Sequence, residues 1–400
     1  MTRKQILFVD DEANVLQGLQ RILRPLRSEW DLEFACSGQA ALDLMAVRHF
    51  DVIVSDMRMP GMDGADLLKE VQRRHPTTVR MVLSGHADRD LVTRCVGVAH
   101  QYISKPCVPE ELKSMVRNAC LLSGQLVEDE VKRVIGSVDH LPSMPQVYVE
   151  LREAMKEEGA GPRELGRIIQ KDAGMTAMVL KMVNSAFFGL RQHIADPTQA
   201  AAYLGTETIR ALVMSRSVFD QVKPLATRAL TLEQLWHHHM TVAVGARAVA
   251  VAENLSRETQ DEAFVGGVLH DAGLLVLASS FPQEYDQVAD LVVSERVQLP
   301  TAEQEIFGVT HAEVGAYLLG LWGLPASILK VVSLHHHPYV LGEPNVTAAM
   351  AVHIADVLSA DDHSAPLFAS LAAGVDGLSL HGTPDQVSRW KSAIRPETAV

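Results

Sequence analysis

Cysteine is scarce in this chain: four in 400 residues, at Cys36, Cys95, Cys107 and Cys120, with no paired spacing. That speaks against a disulfide framework and fits thiols kept reduced in the cytoplasm. No apolar run reaches the roughly 18 residues of a membrane span. Met1-Thr-Arg-Lys leads into a short strand-like run rather than a signal peptide, so no membrane partner is expected. Basic charge is also lacking. The first 120 residues hold 16 basic and 16 acidic residues, so the remaining 20 basic and 33 acidic residues carry the whole net charge of −13. Such acidity disfavours nucleic acid, whose binding depends on neutralising phosphates, and no basic helix stands ready to read DNA. Internal repeats and low-complexity tracts are absent.

The rest is the composition of a folded protein, 47% hydrophobic and 21% charged, long enough for two or three domains. Residues 51–64, DVIVSDMRMPGMDG, carry the strongest local signal. A short apolar run between helical patterns reads as a strand of a parallel sheet buried on both faces. Asp56 then stands at the carboxyl end of that strand, the edge where open α/β sheets bind ligands. Asp10 and Asp11 close the run ILFV, Ser84 follows VRMVL, and Lys105 follows QYIS and precedes Pro106. In a parallel sheet these groups meet at one edge. Three carboxylates there repel one another unless a cation joins them, and an oxygen-only set suits Mg²⁺. Asp56 is then a carboxylate nucleophile for a phosphoryl group, with Lys105 and Ser84 placed to contact its oxygens. Helices are predicted at Ala13–Leu26, Gly38–Val47, Gly64–Arg74, Asp88–Val96 and Pro109–Cys120, giving five βα repeats of a doubly wound sheet.

On these motifs, residues 4 to about 120 resemble the receiver domain of bacterial two-component response regulators. The resemblance implies phosphorylation of Asp56 by a sensor histidine kinase. It also implies Mg²⁺ held by Asp10, Asp11, Asp56 and the carbonyl of Arg58, and a switch formed by Ser84, Tyr102 and Lys105. Residues 121–140 form a connector in which Val127, Val131, Val134 and Val138 recur at helical spacing. That apolar seam packs either on its own domain or against a second copy in a homodimer.

From Leu141 the chain is helical throughout. Leu165, Ile168 and Ile169 form one apolar face, and Met175, Met178, Val179, Met182 and Val183 another, read as packing. Histidines concentrate here: the triplet His237-His238-His239, His270-Asp271 ending AFVGGVL, His311, and His335-His336-His337. Asp271 and Asp356 lie in apolar helical stretches, costly places for an acid unless something pairs with it. Imidazoles and buried carboxylates on facing helices are what a transition-metal site needs. His100, His363 and His381 read as ordinary surface or core histidines.

The order of these residues resembles the HD superfamily of metal-dependent phosphohydrolases. Carried over, His238, His270, Asp271 and Asp356 hold one metal, and His311, His335 and His336 hold a second, with Asp271 bridging. LPSMP, AAYLGTETIR and the stretch from Glu164 to Gly189, with Asn184-Ser185 and Phe187-Phe188-Gly189, resemble the HDOD branch, which is implied to signal mostly by contacts. Fe, Mn, Zn or Ni are the metals expected. Two catalytic features of the superfamily are missing: Leu274 replaces the HDxGK lysine, and His337-Pro338-Tyr339-Val340-Leu341 stands where hydrolases of cyclic di-GMP carry GYP. Gln234 occupies the place of a third-metal glutamate. The expected organisation is a receiver over 1–120, a connector helix over 121–140, an HDOD domain over 141–358 and a partly loose extension over 359–400. Its expected function is a response regulator whose metal-binding output acts on a downstream signalling protein. The alternative is a receiver-controlled phosphodiesterase acting on cyclic di-GMP or another nucleotide.

Overall fold

The apolar runs of the N-terminal part pair side by side in one parallel sheet. The computed structural model describes residues 3–85, 98–105, 109–122, 129–138, 141–155, 160–184, 193–206, 208–209, 225–341, 345–359 and 383–394. Strands β1 (Lys4–Val9), β2 (Trp30–Ala35), β3 (Val52–Asp56), β4 (Val79–Gly85) and β5 (Gln101–Lys105) lie in the order β2-β1-β3-β4-β5, every pair parallel. All five residues of β3 are buried, as expected of a central strand covered on both faces. Helices α1 (Ala13–Leu23), α2 (Gly38–Val47), α3 (Gly64–Arg74) and α4 (Pro109–Leu122) alternate with the strands. Ser37 and Asp63 cap α2 and α3 by accepting backbone N–H groups from Ala40 and Asp66. The first helix stops three residues before the expected Leu26. Pro25 lacks an N–H for the helical ladder, and Arg24–Leu26 tighten into a 3₁₀ turn. The helix expected at Asp88–Val96 lies outside the described residues.

The chain divides into two compact units, the first built on residues 1–140 and the second on most of residues 141–400. The connector helix α5 (Asp129–Ser137) is thus part of the receiver unit. Its buried positions are Val131, Ile135 and Gly136 rather than the full valine seam; Val134 and Val138 are half-buried, and Val127 lies outside the described residues. Gly136 sets this rotation, because a Cβ there would stand 1.9 Å from the carbonyl oxygen of Pro76. The buried Arg80 reaches across from β4 and donates to the Gly136 carbonyl at 2.8 Å. The face of α5 that carries Val131, Ile135 and Gly136 therefore packs on its own domain.

In the second unit, α10 (Leu232–Ala252) is the central helix. It is preceded by α6 (Pro145–Ala154), α7 (Pro162–Ile169), α8 (Ala173–Val183) and α9 (Pro197–Leu204). Packed on it are α11 (Arg257–Leu269), α17 (Ala348–Ser359) and α18 (Pro384–Ile394). Between α11 and α17 the chain runs through α12 (Ala272–Ser280), α13 (Pro282–Glu295), α14 (Leu299–Phe307), α15 (His311–Leu321) and α16 (Ala326–Leu334). Residues 257–280 are long and apolar enough to cross a membrane, yet 89% of their most apolar window is buried within the fold. The expected faces of α7 and α8 are buried throughout. Of the C-terminal extension beyond Ser359, residues 383–394 are described. Trp390 of α18 is fully buried in the core formed by Val242, Ala246, Val352 and Ala355, and its indole donates to Glu253 at 2.9 Å.

Candidate functional site

Because every strand runs the same way, the residues that close β1, β3 and β5 arrive at one sheet edge. Asp10 and Asp56 are both buried there. Lys105 Nζ donates to Asp10 Oδ2 at 2.8 Å and, in a shorter contact, to Asp56 Oδ1. Burial opposes the lysine's charge, but these two carboxylates outweigh it and raise its pKa. Asp10 Oδ1 accepts the N–H of Glu12 at 2.9 Å, and Asp56 Oδ2 accepts the N–H of Arg58 at 2.8 Å. Asp11 is exposed beside Asp10. Ser84 pairs with Ser104 in the strand register, two residues beyond the pair Val82–Tyr102. The Tyr102 ring is buried, and the side chain of Ser84 lies outside the described residues. Two carboxylates share one cation, and the oxygen-only donors suit Mg²⁺.

The second cluster is assembled from the middle of α10, the α11–α12 junction, the start of α15, the end of α16 and the middle of α17. Gly273 lets two of these elements meet, since a Cβ there would stand 2.0 Å from the carbonyl oxygen of His311. Of the histidine triplet, His238 places its Nε2 among the carboxylates, while the buried ring of His239 packs edge-on against His270 at 5.5 Å. His238 Nε2 lies 3.4 Å from Asp271 Oδ2, 3.3 Å from Asp356 Oδ1 and 3.2 Å from His270 Nε2. Asp271 turns its other oxygen, Oδ1, toward His311 Nε2 at 3.3 Å and His335 Nε2 at 3.8 Å. His336 Nε2 lies 2.8 Å from His311 Nε2. All seven residues expected from sequence are brought together, with Asp271 between the two groups. The candidate ligand atoms of His238, His270 and Asp271 lie within 4.8 Å of one another, as do those of His311, His335 and His336.

This donor set fits metal. Imidazole nitrogens face imidazole nitrogens at 3.2, 3.3 and 2.8 Å, so lone pairs converge with too few protons to share. Asp356 Oδ1 is buried without a well-formed hydrogen bond. Burial opposes charge on His238 and His311, yet the carboxylates around them outweigh it and push both up to about 9. Burial and neighbouring imidazoles push His335 down to about 3 and His336 well below its ordinary range. Asp271 is buried, which favours its neutral form, but His270, His238 and His311 hold it well below the usual carboxylate range. His238 likewise lowers Asp356 against the effect of burial. A divalent cation would take the place of the shared protons.

The residues without a ligand role are engaged elsewhere. Gln234 is half of a capping box with Thr231 at the start of α10. Arg247 pairs with Asp261 and lies over the Phe264 ring. Leu274 is fully buried in α12. Sequence reasoning missed Glu303, a buried acid of α14 whose Oε2 meets His311 Nδ1 at 2.6 Å. Its only signal is an acid amid TAEQEIF eight residues before His311, where Glu305 looks equally suitable.

Comparison with known proteins agrees with this division. Residues 6–117 match the response regulator receiver domain, and residues 141–338 match the HDOD domain. The chain is 23% identical over 251 residues to an uncharacterized protein of Treponema pallidum, covering 62% of this chain and 45% of that one. It is 38% identical over 128 residues to the hydrogenase transcriptional regulatory protein HoxA of Cupriavidus necator, covering 31% of this chain and 26% of the relative. It thus spans under half the length of these curated relatives. Among solved structures, the MmoQ response regulator from Methylococcus capsulatus shows 25% identity and a TM-score of 0.49, covering 63% of this chain and 98% of that one. The signal receiver domain of an HD domain-containing protein from Pseudomonas fluorescens shows 34% identity and a TM-score of 0.30, covering 31% and 100%. With one match lying on the parallel sheet and the other on the helical unit, the chain belongs to the response regulators of two-component signalling whose receiver domain is followed by an HDOD domain.

Proposed function

We propose that phosphorylation of Asp56 by a sensor histidine kinase controls an HDOD output that holds one or two transition metal ions and acts on a downstream signalling protein. An Asp56 oxygen attacks the phosphorus of the kinase phosphohistidine. The oxygen–phosphorus bond forms as the nitrogen–phosphorus bond breaks, and the imidazole nitrogen leaves. Lys105 then exchanges its contact with Asp56 for one with the new phosphoryl oxygens. Asp10, Asp11, Asp56 and the Arg58 carbonyl are the residues that would hold Mg²⁺, which offsets the charge of the incoming group. Ser84 and Tyr102 would read the phosphorylated state. In the output domain His238, His270, Asp271 and Asp356 would hold one ion, and His311, His335 and His336 with Asp271 a second. A cytoplasmic location agrees with this reading.

The observation that carries the choice between signalling and hydrolysis is a cluster of closely spaced histidines and aspartates with an apolar, buried Leu274 three residues after Asp271. Metal bound there would supply a hydroxide at neutral pH, and that cluster is what favours the second reading, a phosphodiesterase. No cation stands at position 274 to stabilise phosphoryl oxygens, however, and losing such a group costs orders of magnitude in rate. Acetyl phosphate with Mg²⁺ is expected to label the wild-type protein and not Asp56→Asn; equal labelling removes the switch. Protein loaded with Mn²⁺ or Fe²⁺ is expected to leave cyclic di-GMP intact. Turnover at about 1 s⁻¹ or faster, an ordinary enzyme rate, would establish the phosphodiesterase instead.

A further inference from the structure

The outer nitrogens of the cluster's histidines are not treated alike. His270 Nδ1 meets the carbonyl of Gly267 at 2.7 Å, and His335 Nδ1 meets the carbonyl of Val332 at 2.8 Å. Each carbonyl belongs to the residue three positions earlier, on the helix that leads into the histidine. His311 has no such carbonyl, because it begins its helix and follows the non-helical turn Gly308-Val309-Thr310. A carboxylate is brought in from α14 instead. Glu303 Oε2 accepts the backbone N–H of His311 at 2.8 Å and stands 2.6 Å from its Nδ1. Its other oxygen, Oε1, accepts the hydroxyl proton of Tyr285 at 2.9 Å. Glu303 is fully buried, as is Tyr285.

We infer that Glu303 is a positioning residue that makes the His311–His335–His336 half of the cluster able to hold its own ion, so that the centre is binuclear only while this carboxylate is present. The inference rests on the metal-binding reading above. Two requirements lead to it. The first is orientation. Both N–H groups of His311 point at one carboxylate oxygen, so Nδ1 carries the proton and Nε2 turns bare toward Asp271 and the other rings. A carboxylate behind an imidazole also makes it a stronger donor, and such outer groups typically contribute 10–100-fold in metal affinity. The second requirement is charge. The half containing His238 and His270 has Asp356 to itself and shares Asp271. The other half has three neutral imidazoles and the same shared carboxylate, too little negative charge for a second buried divalent ion. Glu303 supplies the missing unit from behind the ring. Tyr285 holds the free end of that carboxylate and fixes its rotation.

The test uses full-length protein with Co²⁺ alone as probe, titrated against a chelating dye, with visible absorption recorded at each step. Glu303→Gln keeps the shape and a carbonyl acceptor but removes the charge. Wild type is expected to take two Co²⁺ ions. The variant is expected to keep one and to bind the second about 10–100-fold more weakly, losing the absorption component of that second ion while the metal-free melting temperature stays near wild type. Tyr285→Phe, which leaves the charge in place, is expected to weaken the second ion by about two- to tenfold. Should Glu303→Gln fail to fold, Tyr285→Phe decides alone: unchanged affinity for the second ion overturns the inference. Two ions bound to Glu303→Gln with wild-type affinity and spectrum overturn it as well. Wild-type protein that binds no Co²⁺ overturns the metal-binding reading itself, and this inference with it.

Discussion

His100 shows how much one buried side chain can say about a domain's response to pH. It is almost fully buried in the receiver, where its Nδ1 accepts the N–H of Arg80 at 3.1 Å. Burial, with Arg80 next, holds its pKa well below the ordinary histidine value. The folded state therefore refuses a proton that the unfolded state accepts. Below about pH 6.5 the unfolded chain gains protons first, and stability falls by up to about 1.4 kcal/mol per pH unit until the folded pKa is reached. Denaturant unfolding of wild type and His100→Gln checks this: the stability gap between them is expected to shrink as pH falls from 7.5 to 5.5. A gap that does not change with pH contradicts the assignment. The site residues were legible at this scale because each breaks a pattern. Asp10, Asp56 and Lys105 close apolar strands, and Asp271 and Asp356 interrupt apolar helices. Glu303 breaks nothing. It lies in a mixed helical stretch between Ala302 and Gln304, and only the packing of three helices shows that it faces inward.

Among the elements, the connector helix and the C-terminal helix depend most on tertiary packing, and both were the least readable from sequence. Valine spacing identified the connector as a helix but left its partner open, because a seam looks the same whichever surface covers it. The deciding residue is Gly136, which no hydrophobic count weighs. Gly136→Ala is expected to undock Asp129–Ser137 from the receiver at a cost of about 1–3 kcal/mol. Faster amide hydrogen exchange across 129–137 in the full-length protein checks it, and unchanged protection contradicts it. In the same way α18 has weak patterning, yet Trp390 fills the core against α10 and α17. Trp390→Ala is expected to cost about 3–5 kcal/mol, read as a lowered unfolding midpoint. A shift near zero would mean that the extension packs only loosely.

At the scale of the whole molecule, residues 1–120 are balanced in charge, and residues 121–400 carry all of the net −13. The output domain gathers five histidines and two aspartates into one cluster, and Leu274 follows three residues after Asp271. Those features together make the central claim: a phosphorylation-controlled protein whose second domain is organised around metal and signals by contact. Metal analysis of the purified full-length protein, alongside His270→Ala and Asp271→Ala, tests its metal half most directly. One or two transition metal ions per chain are predicted in wild type, with most of that content lost, and the melting temperature lowered, in each variant. Wild-type protein without metal, or metal content unchanged in both variants, would contradict the account and reduce these residues to polar groups of a helical core.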